Sequence, residues 1–177
     1  MAMIWKFLVL CICVIVCWGE LRFTNLKCNE FHKEFATFEE CRLKMVKRGL
    51  VALNLHVKLY QLPVNNISVN LALLKKANGY RPFLYNVTTD FCKFLQNPKR
   101  VPFVNIFYEM IRKNCNMNHT CPYDHDPIVR NLTLKEEMFK HLPLPNGEYL
   151  FRLKVGAYND WKAEVNVYLL VNTKFGE

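Results

Sequence analysis

Serine is almost absent from the chain, which holds one in 177 residues, at Ser68. A Gly-x-Ser-x-Gly motif is therefore missing, and this excludes a serine hydrolase of that kind. The acidic pairs Glu39-Glu40 and Glu136-Glu137 are sequence neighbours, which point to opposite faces of a strand and cannot share a substrate. Histidines are the remaining acid–base candidates, and none stands in a recognisable catalytic motif: His32, His56, His119, His125 and His141. The sequence predicts no enzyme and no cofactor.

A concentrated basic surface is also lacking, although the formal net charge is +9 at pH 7. A net positive charge of this size favours binding to anionic partners. The basic residues are scattered, however, and their densest runs are short: residues 44–48, 75–76 and 99–100. We interpret most of them as a solvated face and predict no nucleic-acid partner.

A long apolar run is missing too. The unbroken apolar stretch at residues 7–17 is too short for a bilayer-spanning helix, which needs about 20 residues. It follows Lys6, and the small residues Cys17 and Gly19 occupy the positions expected before an export cleavage site at Glu20. We predict a signal peptide at residues 1–19, one domain at 20–177, a secreted extracellular protein and no transmembrane segment. An uncleaved membrane anchor is the alternative that the run length disfavours.

Five cysteines follow the predicted signal: Cys28, Cys41, Cys92, Cys115 and Cys121. In an oxidising compartment they should form two disulfides and leave one cysteine over. Fifteen pairing schemes are open, and we favour Cys28–Cys41 with Cys92–Cys121. Cys115 is then a free thiol or the link of a disulfide-linked dimer.

The segment around Cys121 also holds two histidines. Cys115, His119, Cys121 and His125 would suit zinc, which takes four nitrogen or sulfur ligands. The alternative is a loop tied by a disulfide, with its polar side chains in water. Export favours the disulfide, so we predict no metal site.

Sequons are more frequent than chance predicts. Four Asn-x-Ser/Thr triplets occur where this composition gives about one: Asn66, Asn86, Asn118 and Asn131. We predict N-glycosylation of these asparagines, which must then face water.

Alternation of apolar and polar residues dominates the chain after Cys28. It predicts strands near residues 38–46, 51–59, 67–73, 79–87, 128–134, 149–155 and 161–171. Residues 51–73 are interpreted as an antiparallel pair whose even positions on the first strand face water. Pro82 places its strand at a sheet edge. The strand at 128–134 fits less well, since an outward Asn131 would turn Arg130 inward.

The period changes near residues 89–113. Asp90 can cap a short helix, and Pro102 suits the start of a longer one that places Phe103, Phe107, Met110 and Ile111 on one face. The whole pattern predicts a mainly β, two-sheet sandwich of seven or eight antiparallel strands with a helical insertion at residues 89–113.

Several strings along the chain resemble an insect family of small secreted proteins related to the CheB chemosensory proteins. They are residues 23–28, 41–44, 63–66, 79–85, 89–95, 116–123 and 144–149. That family is similar, more distantly, to the ML lipid-recognition superfamily of ganglioside-activator-like and sterol-carrier-like proteins. The resemblance implies an immunoglobulin-like, ML-type sandwich whose sheets splay around an apolar pocket. It also implies binding of a lipid or hydrocarbon, in some relatives during contact-pheromone sensing, with a membrane receptor or channel as partner.

Two hypotheses on function follow. In the first, the inward faces of the strands and the helix enclose an apolar small molecule or lipid; in the second, they pack into a solid core and the protein is an interaction or structural component. The residues predicted to line the pocket are Leu53, Leu55, Val57, Leu59, Val69, Leu71, Leu73, Phe83, Phe103, Phe107, Met110, Ile111, Phe151, Leu153, Val155, Val165, Val167 and Leu169.

Overall fold

The computed structural model describes residues 20–140, 142 and 144–172, so the predicted signal peptide and His141 lie outside the described residues. Two α-helices, α1 (Phe91–Gln96) and α2 (Pro102–Ile111), stand between the fifth and sixth of eight strands. The strands are β1 (Glu20–Glu30), β2 (Ala36–Lys47), β3 (Leu50–Leu59), β4 (Ile67–Ala77), β5 (Gly79–Asp90), β6 (Ile128–Thr133), β7 (Gly147–Ala157) and β8 (Asp160–Asn172). No helix of this part of the chain is long and apolar enough to cross a membrane.

The strands form two antiparallel sheets, which confirms a mainly β sandwich with a helical insertion. The larger sheet has the order β1-β8-β7-β4-β5, and the smaller one has the order β2-β3-β6. β5 is an edge strand, as its proline predicts. The most deeply buried large side chains, Leu73, Tyr149 and Leu169, come from three adjacent strands of the larger sheet.

The strands β3 and β4 do not pair with each other, so the predicted antiparallel pair at residues 51–73 is wrong. β3 lies at the centre of the smaller sheet, and β4 lies between β7 and β5 in the larger one. The turn between them carries the chain from one sheet to the other. Leu53 and Leu71 still face the same interior, because alternation determines which face a side chain takes and not which strand lies alongside.

The outer face of β3 is more buried than the alternation of apolar and polar residues predicts. Ala52 is 0% exposed and Asn54 is buried. Ala52 lies in register between Lys44 of β2 and Thr133 of β6, both longer side chains. A small residue at the centre of a three-stranded sheet is thus shielded by its neighbours.

A β-bulge resolves the conflict predicted for β6. Its pairing with β3 passes from Leu132 to Val129 and skips the two residues between them, which are both exposed. Asn131 has a φ of 51°, and its backbone N–H donates to the Asn54 side-chain oxygen at 3.0 Å. Val129 and Leu132 therefore both face the interior while Arg130 and Asn131 stay in water.

One side of the sandwich is closed by a disulfide. β1, which the alternation did not reveal, pairs with β8 at the edge of the larger sheet. Cys28 of β1 bonds to Cys41 of β2, so a covalent link joins the edges of the two sheets.

The helical insertion closes the opposite side, between β5 and β6. Asp90 caps α1 by accepting from the backbone N–H of Lys93 at 2.9 Å, as predicted. Cys92 of α1 bonds to Cys121 in the loop before β6. The two disulfides present are thus the favoured pairing, and each lies on a different side of the sandwich.

Candidate functional site

A cavity of about 280 Å³ lies between the two sheets and the helical insertion. Leu53, Leu71, Phe151 and Val167 all reach it, one from each of four strands. The aliphatic sides of these strands therefore converge on one interior, but they leave it partly hollow. Fourteen of the predicted residues line the cavity: Leu53, Leu55, Leu59, Val69, Leu71, Phe107, Met110, Ile111, Phe151, Leu153, Val155, Val165, Val167 and Leu169.

Four predicted pocket residues do not line the cavity. Val57 packs against the cluster that contains Phe35, and Leu73 is fully buried in the core. Phe83 lies beside Tyr149 with their ring centroids 5.7 Å apart. Phe103 stacks on Tyr85 at 3.9 Å. They fill solid parts of the interior because a neighbouring side chain occupies the space that each one faces.

Helix α2 presents a wider face to the cavity than predicted, because Val104 and Tyr108 line it besides Phe107, Met110 and Ile111. Val104, Phe107, Tyr108 and Ile111 line the cavity and follow the i, i+3, i+4, i+7 spacing of one helical face. Phe103 points instead towards β5. Val104 and Tyr108, which are both buried, were not included in the predicted face.

Methionine is over-represented in the cavity wall. Three of the six methionines in the chain line it: Met110, Met117 and Met138. A methionine side chain is unbranched and polarizable, so it adapts to ligands of different shape. Met117 lies in a loop and Met138 in a 3₁₀ helix. In such segments no periodic pattern of apolar residues indicates which side chains face inward.

Two tyrosines present their rings to the cavity and direct their hydroxyls away from it. The Tyr108 hydroxyl donates to the Met117 carbonyl at 3.0 Å, and the Tyr123 hydroxyl donates to the His119 carbonyl at 2.5 Å. Both phenols are neutral at physiological pH, and burial raises the pKa of each still further above it. Since both hydroxyls have partners in the protein, the aromatic walls add apolar surface to the cavity.

Among the described residues that line the cavity, Lys162 is the single charged one. Its ammonium lies 2.8 Å from an Asp160 carboxylate oxygen and 5.1 Å from the centre of the Phe35 ring. The hydrogen bond from Lys162 is the main cause that holds the pKa of Asp160 below its usual value. The surface that faces the cavity is thus almost entirely apolar, and the ammonium of Lys162 is engaged by Asp160 and lies over the Phe35 ring.

The cysteine–histidine segment forms no zinc site. Cys121 is oxidised in a disulfide and has no thiolate to offer. His119 and His125 do meet, with their Nε2 atoms 2.9 Å apart, but neither lines the cavity. Within residues 20–140, 142 and 144–172, no three or more His, Cys, Asp or Glu side chains are placed to hold a metal ion.

Cys115 is a free, half-buried thiol. It packs against the cluster of Phe23, Leu53, Val129 and Leu132, and its Sγ donates to the Arg112 carbonyl at 3.7 Å. Burial is the main cause that raises its pKa. The link to a second chain stays a prediction.

The buried thiol should react slowly. A raised pKa leaves a smaller fraction of thiolate at a given pH, and the thiolate is the nucleophile. We expect iodoacetamide to alkylate Cys115 at least about tenfold more slowly in the folded protein than in urea at pH 7.5. Mass spectrometry of quenched samples measures the rates. Equal rates in the folded and unfolded states would contradict the burial of this thiol.

The four predicted glycosylation sites are all exposed: Asn66, Asn86, Asn118 and Asn131. Asn66 precedes β4, Asn86 lies on the edge strand β5, and Asn131 sits in the β6 bulge. Glycosylation itself stays a prediction.

The cavity wall formed by the insertion lies within a segment that matches a known family model. Residues 69–151 match the model of a family described as "Protein of unknown function (DUF1091)". The match runs from β4 to β7 and includes both helices, the Cys92–Cys121 disulfide and β6. No curated protein matches the chain.

Proposed function

We propose that this protein is a secreted binding protein that carries or presents a lipid or another apolar small molecule. The observation that supports the proposal is the cavity of about 280 Å³ between the sheets. Its wall combines aliphatic, aromatic and methionine side chains with one lysine. Among the residues that the structure describes, the lining includes no carboxylate and no histidine, and the role that we propose is binding.

The size of the cavity argues against a packing defect. Protein interiors are packed as densely as organic crystals, and voids larger than a water molecule are few. The apolar side chains around this space lack packing partners on that side and forfeit the dispersion contacts that a filled core would give them. An apolar ligand that fills the space would restore these contacts.

The chemistry of the wall selects the ligand class. A buried water needs two to four polar partners, and the tyrosine hydroxyls at the wall are already engaged. A space with this apolar lining offers few partners to ordered water and suits an apolar guest. The hydrophobic effect is therefore the main driving force for binding, at about 25 cal/mol for each Å² of apolar surface removed from water.

The biological setting rests on the resemblance to chemosensory and ML-type proteins. An ML-type sandwich has two sheets that splay around a lipid, and the arrangement of the two sheets here is compatible with that type. We propose a role in contact-pheromone sensing or lipid presentation, with a membrane receptor or channel as the partner. Two disulfides fit the oxidising compartment of a secreted protein.

Ligand uptake tests the proposal directly. Protein secreted from insect cells, stripped of lipid by reversed-phase chromatography and refolded, is titrated with the fluorescent apolar probe N-phenyl-1-naphthylamine. We expect one equivalent to bind and long-chain hydrocarbons to displace it. A ligand at a hundred times its Kd should raise the Tm by about 5–10 °C. Absence of probe binding and of any shift in Tm would refute the ligand-binding role and favour an interaction protein.

A further inference from the structure

The hairpin of β2 and β3 ends in a tip, residues 44–49, that extends past the interior of the sandwich. Leu43 packs into the interior, and Met45, two residues further along β2, shares its face. Met45 is nevertheless 72% exposed, and its neighbour Val46 is 54% exposed. Every residue of the tip is exposed, so none of the described elements covers its apolar side chains.

The tip carries three cations and no carboxylate. The cations are Lys44, Lys47 and Arg48. Within the part of the chain that the structure describes, none of the three forms an ion pair or a hydrogen bond through its side chain. Arg42, just before the tip, differs, because its guanidinium lies 2.6 Å from Glu40. The tip therefore concentrates unpaired positive charge beside exposed apolar surface.

The tip lies at the end of the sandwich opposite the β7–β8 turn. β3 ends at Leu59, which packs in one cluster with Ala157 at the end of β7, so the start of β3 and the tip lie at the far end. Carboxylates of that end stand on other elements: residues 136–137 follow β6, and Glu148 near the start of β7 accepts from Lys76 at 2.7 Å. None of these carboxylates is paired with the tip, so its positive charge stays free for a partner.

A second group of exposed apolar residues lies at the opposite end, and it suits a flat surface less well. Its members are Phe31, Tyr60, Leu62, Tyr158 and Trp161. The exposed carboxylates of Glu34 and Asp160 lie beside it. The predicted glycosylation site Asn66 lies within it, where the Asn66 carbonyl accepts from the Tyr158 backbone N–H at 3.3 Å. A glycan is bulky and solvated, so it would hold this end away from a membrane.

A membrane with anionic lipids matches both properties of the tip. Lys and Arg side chains near such a surface are attracted to it, and apolar side chains gain free energy when they leave water among the lipids. A soluble polyanion such as heparin would bind the cations alone and leave Met45 and Val46 in water. The combination of charge and apolar surface therefore favours a lipid surface as the partner.

We propose that the β2–β3 tip docks the protein on an anionic phospholipid surface. Met45 and Val46 insert between the lipids, and the three cations contact the phosphate groups. Docking goes beyond the proposed function, because it needs no ligand in the cavity. It specifies the surface at which a carrier of apolar molecules takes up or delivers its ligand. The pairing of β2 with β3 holds the tip, so these side chains are presented without rearrangement.

Vesicle sedimentation tests the docking. The full secreted protein is mixed, at physiological ionic strength, with phosphatidylcholine vesicles that contain or lack phosphatidylserine. We expect binding to the phosphatidylserine vesicles that weakens as salt is added. The triple variant Lys44→Gln, Lys47→Gln, Arg48→Gln should bind about a hundredfold more weakly, at about fivefold for each cation. The double variant Met45→Ser, Val46→Ser should bind severalfold more weakly.

The matched control removes the same number of charges from the helical insertion. Lys93, Lys99 and Arg100 are exposed there, so the variant Lys93→Gln, Lys99→Gln, Arg100→Gln should bind the vesicles much as the wild type does. Because all of the substituted side chains are exposed, each variant should unfold near the Tm of the wild type. Equal losses in the two triple variants would show that net charge attracts the vesicles, and would overturn the proposal.

Tryptophan fluorescence identifies the end that meets the membrane. Trp161 is the single tryptophan after the predicted signal peptide, and it lies beside the β7–β8 turn at the opposite end. Its emission should stay unchanged when vesicles bind, whereas the tryptophan of Val46→Trp should shift to shorter wavelength. A shift of the Trp161 emission in the wild type, or tighter binding to heparin than to vesicles, would overturn the proposal.

Uptake of the apolar probe separates docking from the proposed function. The tip does not line the cavity, so every variant should take up the probe with wild-type affinity. Absence of vesicle binding in a protein that takes up the probe would overturn the docking and leave the proposed function in place. Vesicle binding without probe uptake would do the reverse.

Discussion

Replacing Leu153 with tryptophan should weaken uptake of the apolar probe by about a hundredfold or more. Leu153 lies on β7, in register between Leu71 of β4 and Val165 of β8, and all three line the cavity. The larger side chain would occupy the space that the ligand needs. Because that space is hollow, the overpacking that usually costs about 1–3 kcal/mol in a filled core should be largely avoided. The Tm of the ligand-free variant should therefore stay near that of the wild type or rise.

The control is the same substitution on the opposite face. Leu170 is a half-buried leucine of β8 that does not line the cavity, so Leu170→Trp should leave probe affinity unchanged. Both variants and the wild type are titrated with the probe, and their thermal unfolding is measured in parallel. The two measurements distinguish a filled cavity from a misfolded protein. Wild-type affinity in Leu153→Trp would show that the probe binds somewhere other than between the sheets.

Removal of the Cys92–Cys121 disulfide should cause the largest loss of stability. The bond closes a loop with a sequence separation of 29 residues, for which the chain-entropy relation gives about 3.5 kcal/mol. The double variant Cys92→Ala, Cys121→Ala should therefore lose about this much free energy of unfolding, and its Tm should fall by roughly 7–14 °C. Probe affinity should fall too, because the bond anchors the wall that carries Phe91, Tyr108 and Met117. Urea denaturation and probe titration measure the two effects.

The comparison is the disulfide on the other side of the sandwich. Cys28 and Cys41 are separated by 13 residues, so Cys28→Ala, Cys41→Ala should cost less, about 3 kcal/mol. Both bonded cysteines lie within strands held by backbone pairing, and we expect probe affinity to fall less than in the other double variant. An unfolding free energy equal to that of the wild type in the Cys92 variant would contradict a structural role for that bond.

Regular alternation allowed much of the fold to be predicted from sequence. Seven strands and the helical insertion follow from period and caps, and the pairing favoured among fifteen possible disulfide schemes is the one present. The β1 strand was missed because its inward positions shift at a bulge between Phe23 and Asn25, which breaks the period. The partner of β3 was misassigned because pairing depends on contacts distant in sequence, and a short turn fits a hairpin as well as a crossover.

The candidate site was predictable where it is built from regular strands. Residues such as Leu55 and Val165 face inward by parity alone. Tyr123 and Met138 come from irregular segments, and Lys162 lies at a bulge, so no period indicates their direction. The sequence could not predict the cavity itself. Alternation shows which side chains face inward, but it is the same whether those side chains meet another side chain or an open space.

One flank of the sandwich is closed by the Cys28–Cys41 bond between two edge strands, and the other by the helical insertion with its Cys92–Cys121 bond. The wall formed by the insertion can therefore change while the strands keep their pairing. A shift of α2 against the strands would alter the volume of the chamber without breaking a single sheet hydrogen bond. Under the proposed function, substitutions in the helices and in the loop up to β6 would change which ligand fits, while the eight strands remain as they are.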